Sequence, residues 1–270
     1  MGMNIIRFLD VDGMEHQGVW TGPGRARRLC GNVLLTRELM EGEIPVARVL
    51  APLVPVAVLC VGLNYRKHAE ETGARMPDHP VLFMKSPAAV QHPGAPIELP
   101  RHLRSDEVDY EGELAVVIGR PCKNVSRERA MECVLGFTCA NDVSARDWQK
   151  GRGGSQWCRG KGFDTFCPLG PWITLKEAVP DPGALTLRTR VNGEVLQEAS
   201  TADMIFDIPA LIEFLSGSTT LLPGTVILTG TPSGVGMARK PPRWLQPGDT
   251  VSVEISGIGT LENPVVEEPA

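Results

Sequence analysis

Residues 109–119, DYEGELAVVIG, place Asp109, Glu111 and Glu113 at alternate positions and then run into Leu114, Ala115, Val116, Val117 and Ile118. Side chains of a strand alternate between its faces, so the three carboxylates are expected on one face. The apolar run behind them predicts that the strand enters a core. Carboxylates carried toward a core repel one another and lose hydration unless a cation stands among them. The same alternation would also fit the wet face of an edge strand, so the rest of the chain has to decide.

The other strand patterns point to a β fold. The chain of 270 residues is long enough to bury a large core, and its 29 Gly and 23 Pro call for many turns, which favours short strands over long helices. Apolar runs flank Asp12-Gly13, and residues 185–199 alternate on both sides of Asn192-Gly193, the strongest two-residue hairpin turn. Residues 56–62 and 224–230 read as buried strands, and 248–266 as a further hairpin. Two helices are expected: 64–73, with Asn64 as cap and Gly73 as stop, and 207–217, between Asp207 and Gly217. No βαβ rhythm appears. The expected class is mainly β with peripheral helices (α+β), a mostly antiparallel β-sandwich or rolled barrel. Residues 1–55 are expected to form a small β-rich N-terminal domain, the prolines of 45–55 a linker, and residues 56–270 the main domain.

Several function classes are disfavoured. A formal net charge of -5 without a Lys/Arg block argues against a nucleic-acid surface; the basic cluster GPGRARR (22–28) reads as a solvated loop. Seven cysteines, an odd count without a C-x-x-C pair, support neither a disulfide framework nor a zinc knuckle and fit a reducing cytosol. The apolar stretch 44–63 is broken by Pro45, Arg48, Pro52 and Pro55, so no membrane span is expected there. The first ten residues lack the pattern of a secretory signal, and the expected location is cytoplasmic. Neither G-x-x-x-x-G-K-[ST] nor G-x-G-x-x-G occurs, which discounts nucleotide binding.

Glu111 and Glu113 offer two oxygen ligands to a hard cation such as Mg²⁺. Asp142, at the end of the apolar stretch VLGFTCA, is a candidate third ligand, with Asp147 and Asp109 as rivals. His68 and Glu71 stand at i and i+3 of the first expected helix, where the acid can orient the imidazole; Glu70, at i+2, faces elsewhere. The loop 229–236, TGTPSGVG, could present amides and Thr231 to a carboxylate. Arg146 and Asp147 are expected to brace the metal loop as a buried ion pair. His16, His79, His92 and His102 read as structural or solvated. No cysteine has the surroundings of a nucleophile.

Five ordered motifs then stand out: CVGLNYRKHAEETG, DYEGELAVVIG, NDVSARDWQ, GKGFDTFCPLGP and LTGTPSGVG. In this order and spacing the chain resembles the fumarylacetoacetate hydrolase family from about residue 56 to its C-terminus. The segments FDTFCPLGP and RKPPRWLQPGD resemble its domain-containing branch. The resemblance implies a divalent metal, Mg²⁺ with Mn²⁺ or Ca²⁺ as rivals, held by Glu111, Glu113 and Asp142. It also implies His68 and Glu71 as an acid/base pair on a lid, Lys161 as an active-site lysine and Gln149 as a substrate contact. A homodimer acting on small 2-oxo or 1,3-dioxo acids is implied as well. The expected reaction is Mg²⁺-dependent C–C hydrolysis of an acylpyruvate-like acid; the alternatives are oxaloacetate decarboxylation, keto–enol tautomerisation, or isomerisation of 2-hydroxyhepta-2,4-diene-1,7-dioate. A metal-stabilised interaction module is the non-enzymic alternative. Leu63 stands where some relatives carry arginine, which leaves the substrate open.

Overall fold

The computed structural model describes residues 3–270. Its larger sheet begins at one edge with Ile44–Pro45, Arg25–Arg28, Glu15–Gly22 and Asn4–Leu9. It continues through Cys167–Leu175, Val134–Asn141, Gly112–Ile118, Thr225–Leu228 and Ala57–Gly62 to Val81–Lys85 at the other edge. A second sheet orders Glu194–Ser200, Thr186–Val191, Thr250–Ile255, Gly259–Glu267 and Ile97–Leu99. Neither closes on itself, so the architecture is the sandwich and not the barrel. The helices α1 (Arg66–Thr72), α2 (Trp157–Lys161) and α3 (Ile208–Ser216) are short and peripheral.

Local chemistry explains the hairpins. Asn192 and Gly193 both take positive φ (53° and 82°), which a two-residue turn of this hand requires and which Asn and Gly tolerate best. The strand Gly112–Ile118 is buried along its whole length. Leu114, Val116 and Ile118 pack with Leu187, Val253 and Leu261 of the second sheet. Ala115 and Val117 join Cys60, Leu169 and Ile173 on the opposite face. A strand covered on both sides needs an unbroken apolar run, and this settles the edge-strand alternative against it.

Two expectations change. The proline-rich stretch 45–55 is not a free linker: Ile44–Pro45 pairs with Arg25–Arg28, and Arg48–Leu50 with Asn4–Leu9. Asn4–Leu9 in turn pairs with Cys167–Leu175, which carries the N-terminal strands into the large sheet. Asn64 does not cap α1, whose cap residue is Tyr65. The Asn64 amide donates instead to the carbonyls of Phe206 (3.0 Å) and Thr229 (2.7 Å), and Oδ1 accepts from the Phe206 amide. Tertiary carbonyls outcompete the helix end for this side chain. Gly73 ends α1, and Asp207 caps α3 by accepting from the Ala210 amide, both as expected.

Candidate metal centre and active-site cleft

Antiparallel pairing assembles the acids. Gly112 lies opposite Asn141, so Glu111 and Asp142 meet at neighbouring strand ends, where the Asp142 amide donates to the Glu111 carbonyl (2.8 Å). Glu111, Glu113 and Asp142 each bring an oxygen within 4.8 Å of the others, and all three are buried.

Asp109 does not join them. The strand breaks at Tyr110 and Glu111, where the Glu111 amide turns to Asn141 Oδ1 (3.0 Å), and Asp109 falls on a separate short strand paired with Ser144–Ala145. Its oxygens accept from Arg146 Nε (3.0 Å) and from the amides of Tyr110, Gly236 and Met237. Asp147 also lies apart, accepting from Ser105 Oγ and standing 3.2 Å from Arg152. The expected Arg146–Asp147 pair is therefore absent. Arg146 turns to Asp109 and, through Nη2, to Glu111 Oε1 (2.6 Å).

Three buried cations face these acids. Lys161 Nζ donates to Glu111 Oε2 (2.8 Å), Asp142 Oδ2 (2.6 Å) and Ser144 Oγ (2.7 Å). Gly160 lets α2 come this close, since a Cβ there would sit 2.4 Å from the Gln149 nitrogen. Lys85 Nζ lies 2.7 Å from Asp142 Oδ1 and donates to the carbonyls of Val143, Lys161 and Phe166. Arg146 is the third. Burial alone would raise Glu111, but Arg146 and Lys161 outweigh it and hold the carboxyl well below the usual range. Glu113 has no such partner and receives only the Gly230 amide (2.7 Å). Burial, then Asp142 and Glu111, push it well above the carboxylate range. Burial would lower Lys161, but Asp142 and Glu111 hold it above its ordinary value.

The donor set fits a hard divalent ion. All three donors are carboxylate oxygens. Asp142 Oδ1 receives no hydrogen bond despite its proximity to Lys85, and Glu113 makes no ion pair among the described residues. With Asp109 counted, four buried acids meet three buried cations, and the acid left over, Glu113, is the one driven toward its neutral form, so a cation arriving there would displace a proton.

A cleft of about 270 Å³ opens over this cluster, lined among others by His68, Glu111, Glu113, Trp157, Lys161 and Thr231. His68 Nδ1 lies 3.3 Å from Glu71 Oε2, and the Gly234 amide donates to both Glu71 oxygens (2.9 and 3.1 Å). A carboxylate only accepts, so Nδ1 is the donor in this contact, and in the neutral imidazole the Nε2 lone pair is free. Gln149 Oε1 accepts from Arg146 Nη1 (3.0 Å). Its amide NH₂ has no acceptor among the described residues and remains available to a ligand. Thr231 lines the cleft but gives its proton to the Gly112 carbonyl (3.0 Å). The loop 229–237 does hold carboxylates with its amides, but they are the protein's own: Glu113, Glu71 and Asp109. A roomier cavity of about 650 Å³, walled by Met131, Val179, Met204 and Ile208, contains none of the three clustered acids.

Lys85 and Ser144 escaped sequence reasoning. For Lys85 a signal existed: in VLFMK it shares a strand face with buried Phe83.

Four buried acids and three buried cations gathered beside a small cleft that His68 also lines serve chemistry better than stability, and the chain is an enzyme. Residues 57–266 match the family described as fumarylacetoacetate (FAA) hydrolase C-terminal, and the chain belongs to that family. It is 48% identical over 218 residues to the mitochondrial oxaloacetate tautomerase of Xenopus laevis, covering 80% of this chain and 68% of that protein. The crystal structure of 2-hydroxyhepta-2,4-diene-1,7-dioate isomerase from Mycobacterium marinum superposes with a TM-score of 0.86 at 45% identity, covering 99% of this chain and 100% of that one. That of 5-carboxymethyl-2-hydroxymuconate delta-isomerase from Mycobacterium smegmatis gives 0.86 at 44% identity, covering 98% and 100%. No helix among the described residues is long and apolar enough to cross a membrane.

Proposed function

We propose that the chain interconverts the keto and enol forms of a small 2-oxo dicarboxylic acid, with oxaloacetate as the representative substrate. The observation that carries this is His68, held from behind by Glu71, lining the same cleft as Glu111, Glu113 and Lys161. Glu111, Glu113 and Asp142 would hold a divalent ion, Mg²⁺ before Mn²⁺ or Ca²⁺. When bound, such an ion supplies Lewis-acid charge that lowers the cost of enolate character in a 2-oxo acid. His68 Nε2 removes a proton from one end of the oxo–enol unit and returns it to the other. Glu71, clamped by the Gly234 amide, holds the tautomer and offsets the charge on the imidazolium. The Gln149 NH₂ group donates to the substrate. At about 270 Å³ the cleft falls just below the common ligand-pocket range of about 300–1,000 Å³, which suits a small acid. The relatives cited are named for tautomerisation and isomerisation, both proton transfers.

Hydrolysis of a C–C bond in an acylpyruvate-like acid is the second reading, favoured by the family description and by the same pair's capacity to activate water. Enol absorbance separates the two. The protein with Mg²⁺ is expected to accelerate oxaloacetate equilibration and to leave acetylpyruvate intact. Cleavage of acetylpyruvate with oxaloacetate untouched would reverse the assignment. A homodimer belongs to this proposal, supported by Leu82 and Met84, exposed on the edge strand Val81–Lys85.

A further inference from the structure

The cleft lining holds His68 and three full cations, Arg146, Lys150 and Lys161. Two of these are already engaged by the floor carboxylates. Lys161 has spent its three N–H donors on Glu111, Asp142 and Ser144. Arg146 gives Nε to Asp109 and Nη1 to Gln149, and its Nη2 lies against Asp109 and Glu111. Both are buried on the floor beside the carboxylates, and His68 is committed to Glu71. Lys150 differs on each count. It is exposed at the rim, follows Gln149 in the chain, and makes no hydrogen bond or ion pair among the described residues. Val61, Leu63, Phe83 and Met237 offer no side-chain donor, and the remaining donors of the lining, on Thr72, Gln149, Trp157 and Thr231, are uncharged.

We propose that Lys150 receives the second carboxylate of the substrate and so sets the preference of this cleft for dicarboxylic over monocarboxylic 2-oxo acids; this rests on the 2-oxo-acid function proposed above. A 2-oxo acid engaged at the floor through its carboxylate and ketone directs its far end outward. A methyl or hydrogen there meets an apolar wall without penalty. A carboxylate there loses hydration unless a cation answers it, and among the cations lining the cleft Lys150 alone pairs with no acid of the described residues.

The test compares oxaloacetate with pyruvate, which is the same acid without the far carboxylate. With Mg²⁺ present, KM and kcat for oxaloacetate and the inhibition constant of pyruvate are measured for the wild type, Lys150→Met and Lys150→Arg. Lys150→Met is expected to raise the oxaloacetate KM about five- to tenfold, with kcat and the pyruvate constant within about twofold, the size of a rim charge contact. Lys150→Arg is expected to recover most of the KM. An unchanged oxaloacetate KM in Lys150→Met overturns the inference. So does an equal weakening of oxaloacetate and pyruvate, which would make Lys150 a general electrostatic contributor and not a reader of the far carboxylate. A wild type inert toward oxaloacetate overturns the proposed function itself, and this inference with it, before any variant is made.

Discussion

Arg146→Met tests whether one guanidinium holds the acidic cluster in shape. Among the described residues, the substitution removes the only cation touching Asp109 and one of two touching Glu111, both buried. Breaking a buried ion pair from one side costs about 3–5 kcal/mol, because a charge is stranded. Here the lower end applies. Asp109 keeps three backbone amides, and Glu111 keeps Lys161 at 2.8 Å. A loss of about 3 kcal/mol converts to a fall in Tm of about 6–12 °C for a domain of this size. Circular dichroism melts without added metal measure it, with Arg146→Lys expected to fall between, since an ammonium cannot reproduce the two-oxygen contact. Titration calorimetry with Mn²⁺ gives the functional half: a misplaced Glu111 should weaken binding about 10–100-fold, as losing a partner of a ligand does. A melt within about 2 °C of wild type together with unchanged Mn²⁺ affinity would refute the bracing role.

Three further outcomes follow from the same geometry. Glu113→Gln removes a proposed ligand without stranding any cation, so the metal-free melt should hold within about 2 °C while Mn²⁺ affinity falls at least about 100-fold; equal affinity would remove Glu113 from the ligand set. His68→Asn should lower kcat on oxaloacetate by about 10²–10⁴ and leave KM little changed, and a variant retaining full kcat would exclude His68 as the proton carrier. Asp249 sits among Arg243, the Gln246 amide and Asn192. Burial raises its carboxyl, but these partners outweigh burial and hold it below its ordinary value. Its contribution is therefore complete above about pH 4 and is lost as pH falls through the depressed folded value. Asp249→Asn should melt lower than wild type at pH 7 and pH 5 by a constant gap that shrinks at pH 3; a gap that widens in acid would contradict the sign.

What the sequence disclosed was local, and what it hid was tertiary. The turn at Asn192-Gly193 could be placed because positive φ at two successive residues is a demand that few residue pairs meet. The Asp207 cap and the Gly73 stop are similarly short-range. Asn64 failed as a cap because Phe206 and Thr229 claim its amide from far along the chain. Asp109 followed the alternation of Glu111 and Glu113 on paper, but Asn141 from the neighbouring strand captures the Glu111 amide and breaks the ladder between them. Arg146 and Asp147 were paired by adjacency, yet their side chains leave in different directions. The grouping of Glu111, Glu113 and Asp142 came through resemblance and spacing together, and the antiparallel register is its physical cause.

The three carboxylates clamped by the loop 229–237 show how the site is kept open for work. Glu113, Glu71 and Asp109 play different parts: proposed ligand, partner of the imidazole, and anchor of Arg146. Each takes at least one amide from that single loop. Amides satisfy a carboxylate without adding a mobile charge, so they fix its direction and leave lone pairs free for a second partner. Lysines in the same places would have neutralised the acids and closed the cluster to any ion. The fold instead leaves Glu113 short of a cation and Asp142 Oδ1 without a donor, at a cost in stability that well-packed apolar residues of the same volume would avoid. A deficit retained at the floor of a cleft, with its directions fixed by backbone, suits the proposed binding of a hard cation beside the proposed acid/base pair.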